Sequence, residues 1–148
     1  MSKRLGLVAT MLLVMASCAV VSAYEQSPAI GNGNYTIEPV HNTGINPISI
    51  QSVYASITQG STNWPPNTVS SYITSMNVDL NWGNSANSLR LKIYSPDGYI
   101  FGPYYDSFDG ASNGRINLNI INSNGLAQGT WRYEVYGERV TGTQYYSI

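Results

Sequence analysis

Apolar and polar residues alternate along much of the second half of the chain. Met76, Val78, Leu80 and Trp82 are interleaved with Ser75, Asn77, Asp79 and Asn81, and Leu89, Leu91 and Ile93 with Arg90 and Lys92. Successive side chains on a strand point to opposite faces, so each run predicts a strand with one greasy and one wet face. The stretch Gly83-Asn84-Ser85-Ala86-Asn87-Ser88 between the runs has turn chemistry and predicts a β hairpin; Ser95-Pro96-Asp97-Gly98 predicts a tight turn after it. Two strands alone are marginal in water, so the chain must supply more strands and a second apolar layer.

Other segments meet that need. Ile48 to Thr58 predicts a first strand, and Thr62 to Ser71 an edge segment with a bend, because Pro65 and Pro66 cannot donate to a central ladder. Tyr99 to Tyr105 can return beside the hairpin, and Asp106 to Gly114 is a loop. Ile116, Leu118 and Ile120, then Trp131, Tyr133 and Val135, repeat the alternation on either side of a polar connection over Asn122 to Gly129, and Thr143 to Ile148 closes the chain as a strand. About seven or eight short strands with frequent turns and no helical period predict an all-β fold, an antiparallel jelly-roll-like β-sandwich. Its interior takes Met76, Val78, Leu80, Leu89, Leu91, Ile93, Ile116, Leu118, Ile120, Trp131, Tyr133 and Val135 from these runs, together with Ile50, Val53, Ile57, Val69, Phe101 and Tyr146.

Residues 1–23 read as a signal peptide: Lys3 and Arg4, an apolar run from Leu5 to Val21, and small residues at Val21-Ser22-Ala23 where cleavage is expected. Met15-Ala16-Ser17-Cys18 is a loose lipoprotein-type box in which Cys18 would carry lipid, although the apolar run continuing through Ala19-Val20-Val21 suits such a box poorly. The expected location is secreted, extracellular or at the cell surface, with no transmembrane segment after signal cleavage. Residues 24–47, rich in Pro and Gly, read as an extended leader or linker that is disordered or pairs at a sheet edge, and 48–148 as the sandwich domain. The leader holds one glycosylation sequon, Asn34-Tyr35-Thr36, and His41, the chain's one histidine, which reads as a solvated loop residue.

Composition narrows the function. Cys18 is the one cysteine, so the mature chain has no disulfide, thiolate metal site or cysteine nucleophile. Beyond residue 23 five basic residues face eight acidic ones, and the basic residues are scattered singly, which argues against nucleic acid as a partner. A serine hydrolase needs a base beside its nucleophile and a zinc protease needs clustered histidines; one leader histidine serves neither, and no Gly-x-Ser-x-Gly is present. Paired carboxylates could still run glycoside hydrolysis, which leaves a small secreted hydrolase as a third reading behind two binding ones.

Two candidate sites follow. The loop from Asp106 through Asp109 to Asn113 offers oxygen ligands of the kind calcium takes, and it reads equally as an ordinary Asp/Gly/Asn turn. Tyr94, Tyr99, Tyr104 and Tyr105 could present rings that stack on sugars or fill an interface, while tyrosines also simply favour strands.

Gln59-Gly60-Ser61-Thr62-Asn63-Trp64, Asp79-Leu80, the run Leu89 to Gly98, and Gly129-Thr130-Trp131-Arg132-Tyr133-Glu134-Val135-Tyr136-Gly137 together resemble the pre-peptidase C-terminal domain, and the closing part is similar to the P domain of proprotein convertases. Small archaeal secreted proteins with such domains look similar too. The resemblance implies a jelly-roll-like sandwich acting as a noncatalytic module of secreted hydrolases, in folding, secretion or adhesion. The acidic pair often seen just before the family's central strand, Asp-x-Asp, is here Asn87-Ser88-Leu89, so the resemblance does not imply the calcium or surface role tied to that pair. The expectation is therefore a secreted noncatalytic accessory or adhesion module whose partner is a polysaccharide, another cell-surface polymer or a secreted protein, with a calcium-dependent or carbohydrate-binding lectin-like module as the alternative.

Overall fold

The computed structural model describes residues 33–41 and 53–148. The expected signal peptide, Cys18 and Ile50 lie outside the described residues. Among the described residues, ten antiparallel strands form two five-stranded sheets. The first sheet runs β1 (Thr36–Pro39), β8 (Arg115–Ile121), β5 (Ser75–Asn81), β10 (Thr143–Ser147), β2 (Tyr54–Thr58). In the second, β9 (Gly129–Arg139) pairs with β3 (Thr62–Asn63) and β4 (Pro66–Val69) on one side and β6 (Ser88–Tyr94) on the other, with β7 (Ile100–Tyr104) outermost. The inner faces meet in one core in which Leu80, Leu89, Leu91, Ile93, Ile116, Leu118, Ile120, Trp131 and Val135 are fully buried.

The expected hairpin between β5 and β6 does not form. β5 pairs with β8 over its whole length, β6 pairs with β9, and the two strands lie in opposite sheets. Alternation says which side of a strand is greasy but not which layer it joins, and the 83–87 connection can span the roughly 10 Å between stacked sheets. The crossing is pinned on both sides. Gly114 O accepts the backbone N–H groups of Trp82 (2.8 Å) and Gly83 (2.9 Å), and the Trp82 indole donates to Asn84 O and Asn87 O. Asn87, itself buried, donates to Gln144 Oε1 of β10 at 2.7 Å and accepts from Thr141 N. Gly114 has φ of +81°, and a Cβ there would stand 2.6 Å from Asn84 N, so no larger residue fits. Among the described residues the one pair of consecutive strands joined as a hairpin is β6–β7, through the Ser95–Gly98 turn.

Two expectations about burial change. Val53 is exposed, because it precedes β2 at the sheet's edge, whereas Trp82, Leu126 and Val140 join the core from strand ends and connections. Within the segment expected as leader, residues 36–39 form the edge strand β1, paired with Ile121 to Leu118 of β8. Tyr35 just before it sets its ring edge-on to Phe101 (5.3 Å between centroids) and Trp131 (5.9 Å), so the sheet-to-sheet core continues into this segment.

Candidate functional site

The outer face of the second sheet gathers aromatic and charged side chains. β6 turns Leu89, Leu91 and Ile93 inward, which leaves Arg90, Lys92 and Tyr94 outside; β9 turns Trp131, Tyr133 and Val135 inward and leaves Arg132, Glu134 and Tyr136 outside. The register sets Arg90 opposite Tyr136, Lys92 opposite Glu134 and Tyr94 opposite Arg132, giving two facing rows of three. Trp64 joins them from the link between β3 and β4. Pro65 and Pro66 bend the chain there, and the carbonyl of Pro65 accepts from Tyr133 N at 3.0 Å, fastening the link to β9. The Trp64 ring lies tilted against Tyr94 with centroids 5.4 Å apart and remains 48% exposed. Ile100, opposite Tyr94 on β7, extends the apolar strip and is 54% exposed.

Glu134 is the hub. Its Oε2 accepts from the Tyr94 hydroxyl at 2.6 Å, its Oε1 from Arg90 Nη2 at 3.1 Å, and Lys92 Nζ stands 3.8 Å away. Burial pushes this carboxyl's pKa up, but the Tyr94 hydroxyl, Lys92 and Arg90 together outweigh burial and hold it below the ordinary glutamate value. The same hydrogen bond, with burial second, raises the pKa of Tyr94. The Arg90 guanidinium also lies 4.4 Å over the Tyr136 ring and 3.6 Å from Glu138. Glu134 and Arg90 are thus engaged within the face, and Arg132, exposed beside the Trp64–Tyr94 end, is a cation turned to solvent.

Four of the basic residues gather on two neighbouring strands. Arg90, Lys92, Arg132 and Arg139 all belong to β6 and β9, against Glu134 and Glu138 on β9 and Asp97 in the turn after β6. In the first sheet Arg115 forms a two-point ion pair with Asp79 (2.6 and 2.7 Å) and Glu38 is exposed on β1, while Asp106 and Asp109 lie in the 3₁₀ turn that links the two sheets.

A protein of Archaeoglobus fulgidus, described as uncharacterized, is 42% identical over 60 residues, which cover 39% of this chain and 81% of that protein. The chain belongs to the same family as that protein. No family model matches the chain. Since this relative is uncharacterized, the functional reading rests on the geometry of this chain.

Of the four tyrosines singled out from sequence, only Tyr94 lies in this assembly. Tyr99 packs edge-on against Tyr35, with centroids 5.5 Å apart, and Tyr104 is paired with inward-facing Leu91 and packed on Phe108 at 4.5 Å. Burial pushes the Tyr104 hydroxyl up to about 12. Tyr105 is exposed at the entrance to a short 3₁₀ turn over Asp106–Asp109. Trp64, Arg132, Lys92 and Glu134 were not picked out, although alternation already put the last three on wet faces; which strands would lie side by side was the missing information.

The Asp106–Asn113 loop is closed on itself. Asp106 Oδ1 accepts the backbone N–H groups of Asn113, Gly114 and Arg115 at 2.9 to 3.1 Å, and Asn113 takes part through its backbone. Asp109 is 5% exposed; its Oδ1 accepts from Ala111 N, and its buried Oδ2 has no hydrogen-bond partner. Burial raises its pKa. Among the described residues no group of three or more His, Cys, Asp or Glu side chains is placed to hold a metal ion. His41 is exposed, and its Nδ1 lies 2.9 Å from the Asp109 carbonyl oxygen, to which it donates. No helix among the described residues is long and apolar enough to cross a membrane.

Proposed function

We propose that this is a secreted, noncatalytic accessory or adhesion module of the pre-peptidase kind, holding a surface polymer or a protein partner on the outer face of its second sheet. The observation that carries the reading is the Trp64–Tyr94 pair: two rings in contact, partly open to solvent, on a rigid β surface. Aromatic faces offer large apolar area at little entropic cost, and their polar edges tolerate a wet rim, which suits sugar rings and interface side chains alike. The hydrogen bond from Tyr94 to Glu134 fixes the Tyr94 ring before any ligand arrives, so little ordering remains to be done on binding.

A calcium-dependent lectin-like module is the second reading, favoured by the unpartnered, buried Oδ2 of Asp109. Affinity electrophoresis through gels containing a panel of polysaccharides separates the two. Retardation lost in Trp64→Ala and indifferent to a chelator supports binding on the sheet face. Retardation lost on chelation and in Asp109→Ala, but kept in Trp64→Ala, supports the lectin-like reading instead.

A further inference from the structure

We infer that the ligand of this face is an anionic polysaccharide, one whose sugar rings carry carboxylate or sulfate groups; the inference rests on the sheet-face reading and deepens it. At the Trp64–Tyr94 end the aromatic surface is bordered by Arg132, opposite Tyr94, and by Lys92, one pair further along the same two strands. Arg132 is exposed, and no ion pair holds it among the described residues. Lys92 keeps a longer contact, 3.8 Å, with a Glu134 carboxylate that Arg90 and Tyr94 already satisfy, so its charge is open to an incoming anion. At this end the face offers a ligand two cations beside an aromatic pair, while the carboxylate beside them, Glu134, is engaged by Tyr94 and Arg90 and is 8% exposed.

A neutral glycan would use the rings but leave Arg132 with nothing but water. An acidic ring stacked on Trp64 would bring its charged substituent within reach of the guanidinium, whose planar fork of donors matches a carboxylate or sulfate at two points. The chain is acidic overall, which makes the cationic patch a local arrangement and not a consequence of net charge.

Isothermal titration with polygalacturonate and dextran sulfate as anionic probes, and dextran and soluble starch as neutral ones, tests this. The expected result is tighter binding of at least one anionic probe than of either neutral one, weakened about tenfold by Arg132→Gln and progressively by added salt, as an exposed charge contact must be. Trp64→Ala should weaken it as well, with the melting temperature of both variants unchanged to show that the fold is intact. Neutral probes binding as tightly as anionic ones through Trp64, or anionic binding that Arg132→Gln leaves unchanged, would overturn the inference while leaving the sheet-face reading in place. No binding of any probe, or binding that Trp64→Ala does not touch, would overturn both.

Discussion

On the solvent side of the second sheet, Tyr94 of β6 and Glu134 of β9 are joined by a 2.6 Å hydrogen bond in which the phenol donates and the carboxylate accepts. Short bonds to a charged acceptor are stronger than neutral ones, but this pair is near solvent, so its net worth is modest. Tyr94→Phe should destabilise the protein by about 1 kcal/mol, in line with a typical net hydrogen bond. It should also raise the pKa of Glu134, because a bond that favours the charged form is lost. Carboxyl NMR titration alongside thermal denaturation checks both; an unmoved Glu134 would show that the bond is absent in solution.

Acid should act on two carboxyls in opposite senses. Glu134 has a folded-state pKa below its unfolded value, so its stabilising contribution is full above about pH 4.3 and is lost as the pH falls through the lowered folded value. Asp109 has a folded-state pKa raised mainly by burial, so its charge weighs against the fold once the pH rises through that value. Glu134→Gln should therefore flatten the acid limb of the stability profile, and Asp109→Asn should flatten the decline on the less acid side. Urea denaturation from pH 2 to 7 reads both, and parallel profiles for wild type and both variants would contradict the assignments.

The connection between the sheets makes a sharper structural prediction. Asn87 and Gln144 are both buried and bonded to each other at 2.7 Å, one on the crossing loop and one on β10. Removing either partner leaves a buried amide unsatisfied, so Asn87→Ala and Gln144→Ala should each cost about 1–3 kcal/mol. In the double variant the costs should fall well short of additive, since the two residues share one interaction. Additive losses in denaturant melts would mean that the loop is held some other way.

The strands were legible in the sequence because alternation is local. Met76 to Leu80, Leu89 to Ile93, Ile116 to Ile120 and Trp131 to Val135 bury their apolar positions as their spacing requires. Pairing is not local, and there the reading of β5 with β6 as a hairpin failed: Gly83 to Ser88 is a polar turn-rich stretch whether it reverses within a sheet or crosses between two. The site was half legible for the same reason. Arg90, Lys92 and Tyr94 fall on a wet face by period alone, but that Trp64 would reach Tyr94 depends on β3 and β4 flanking β9, which no local pattern announces.

Tyr35 illustrates a different blind spot. It sits among Pro and Gly in a segment with no period, yet its hydroxyl donates to Asp97 at 2.8 Å and its ring closes the end of the core against Phe101 and Trp131. Tyr35→Ala should destabilise the fold by roughly 2–4 kcal/mol, near the low end for deleting a packed aromatic because Tyr35 is only half-buried. Tyr35→Phe should recover most of that loss, and an Ala variant as stable as wild type would show that the segment does not pack on the core.

Binding on the solvent-facing side of β6 and β9 would be reported by a tryptophan already there. Of the protein's three tryptophans, Trp64 is exposed while Trp82 and Trp131 are buried, so ligand on this face should alter the emission of Trp64 alone. Titration of the protein with polygalacturonate, followed by tryptophan emission and iodide quenching, should give a saturable blue shift with protection from quencher, and Trp64→Phe should abolish both. An unchanged emission spectrum under conditions where the polymer is bound would contradict the account, because it would put the ligand elsewhere on the molecule.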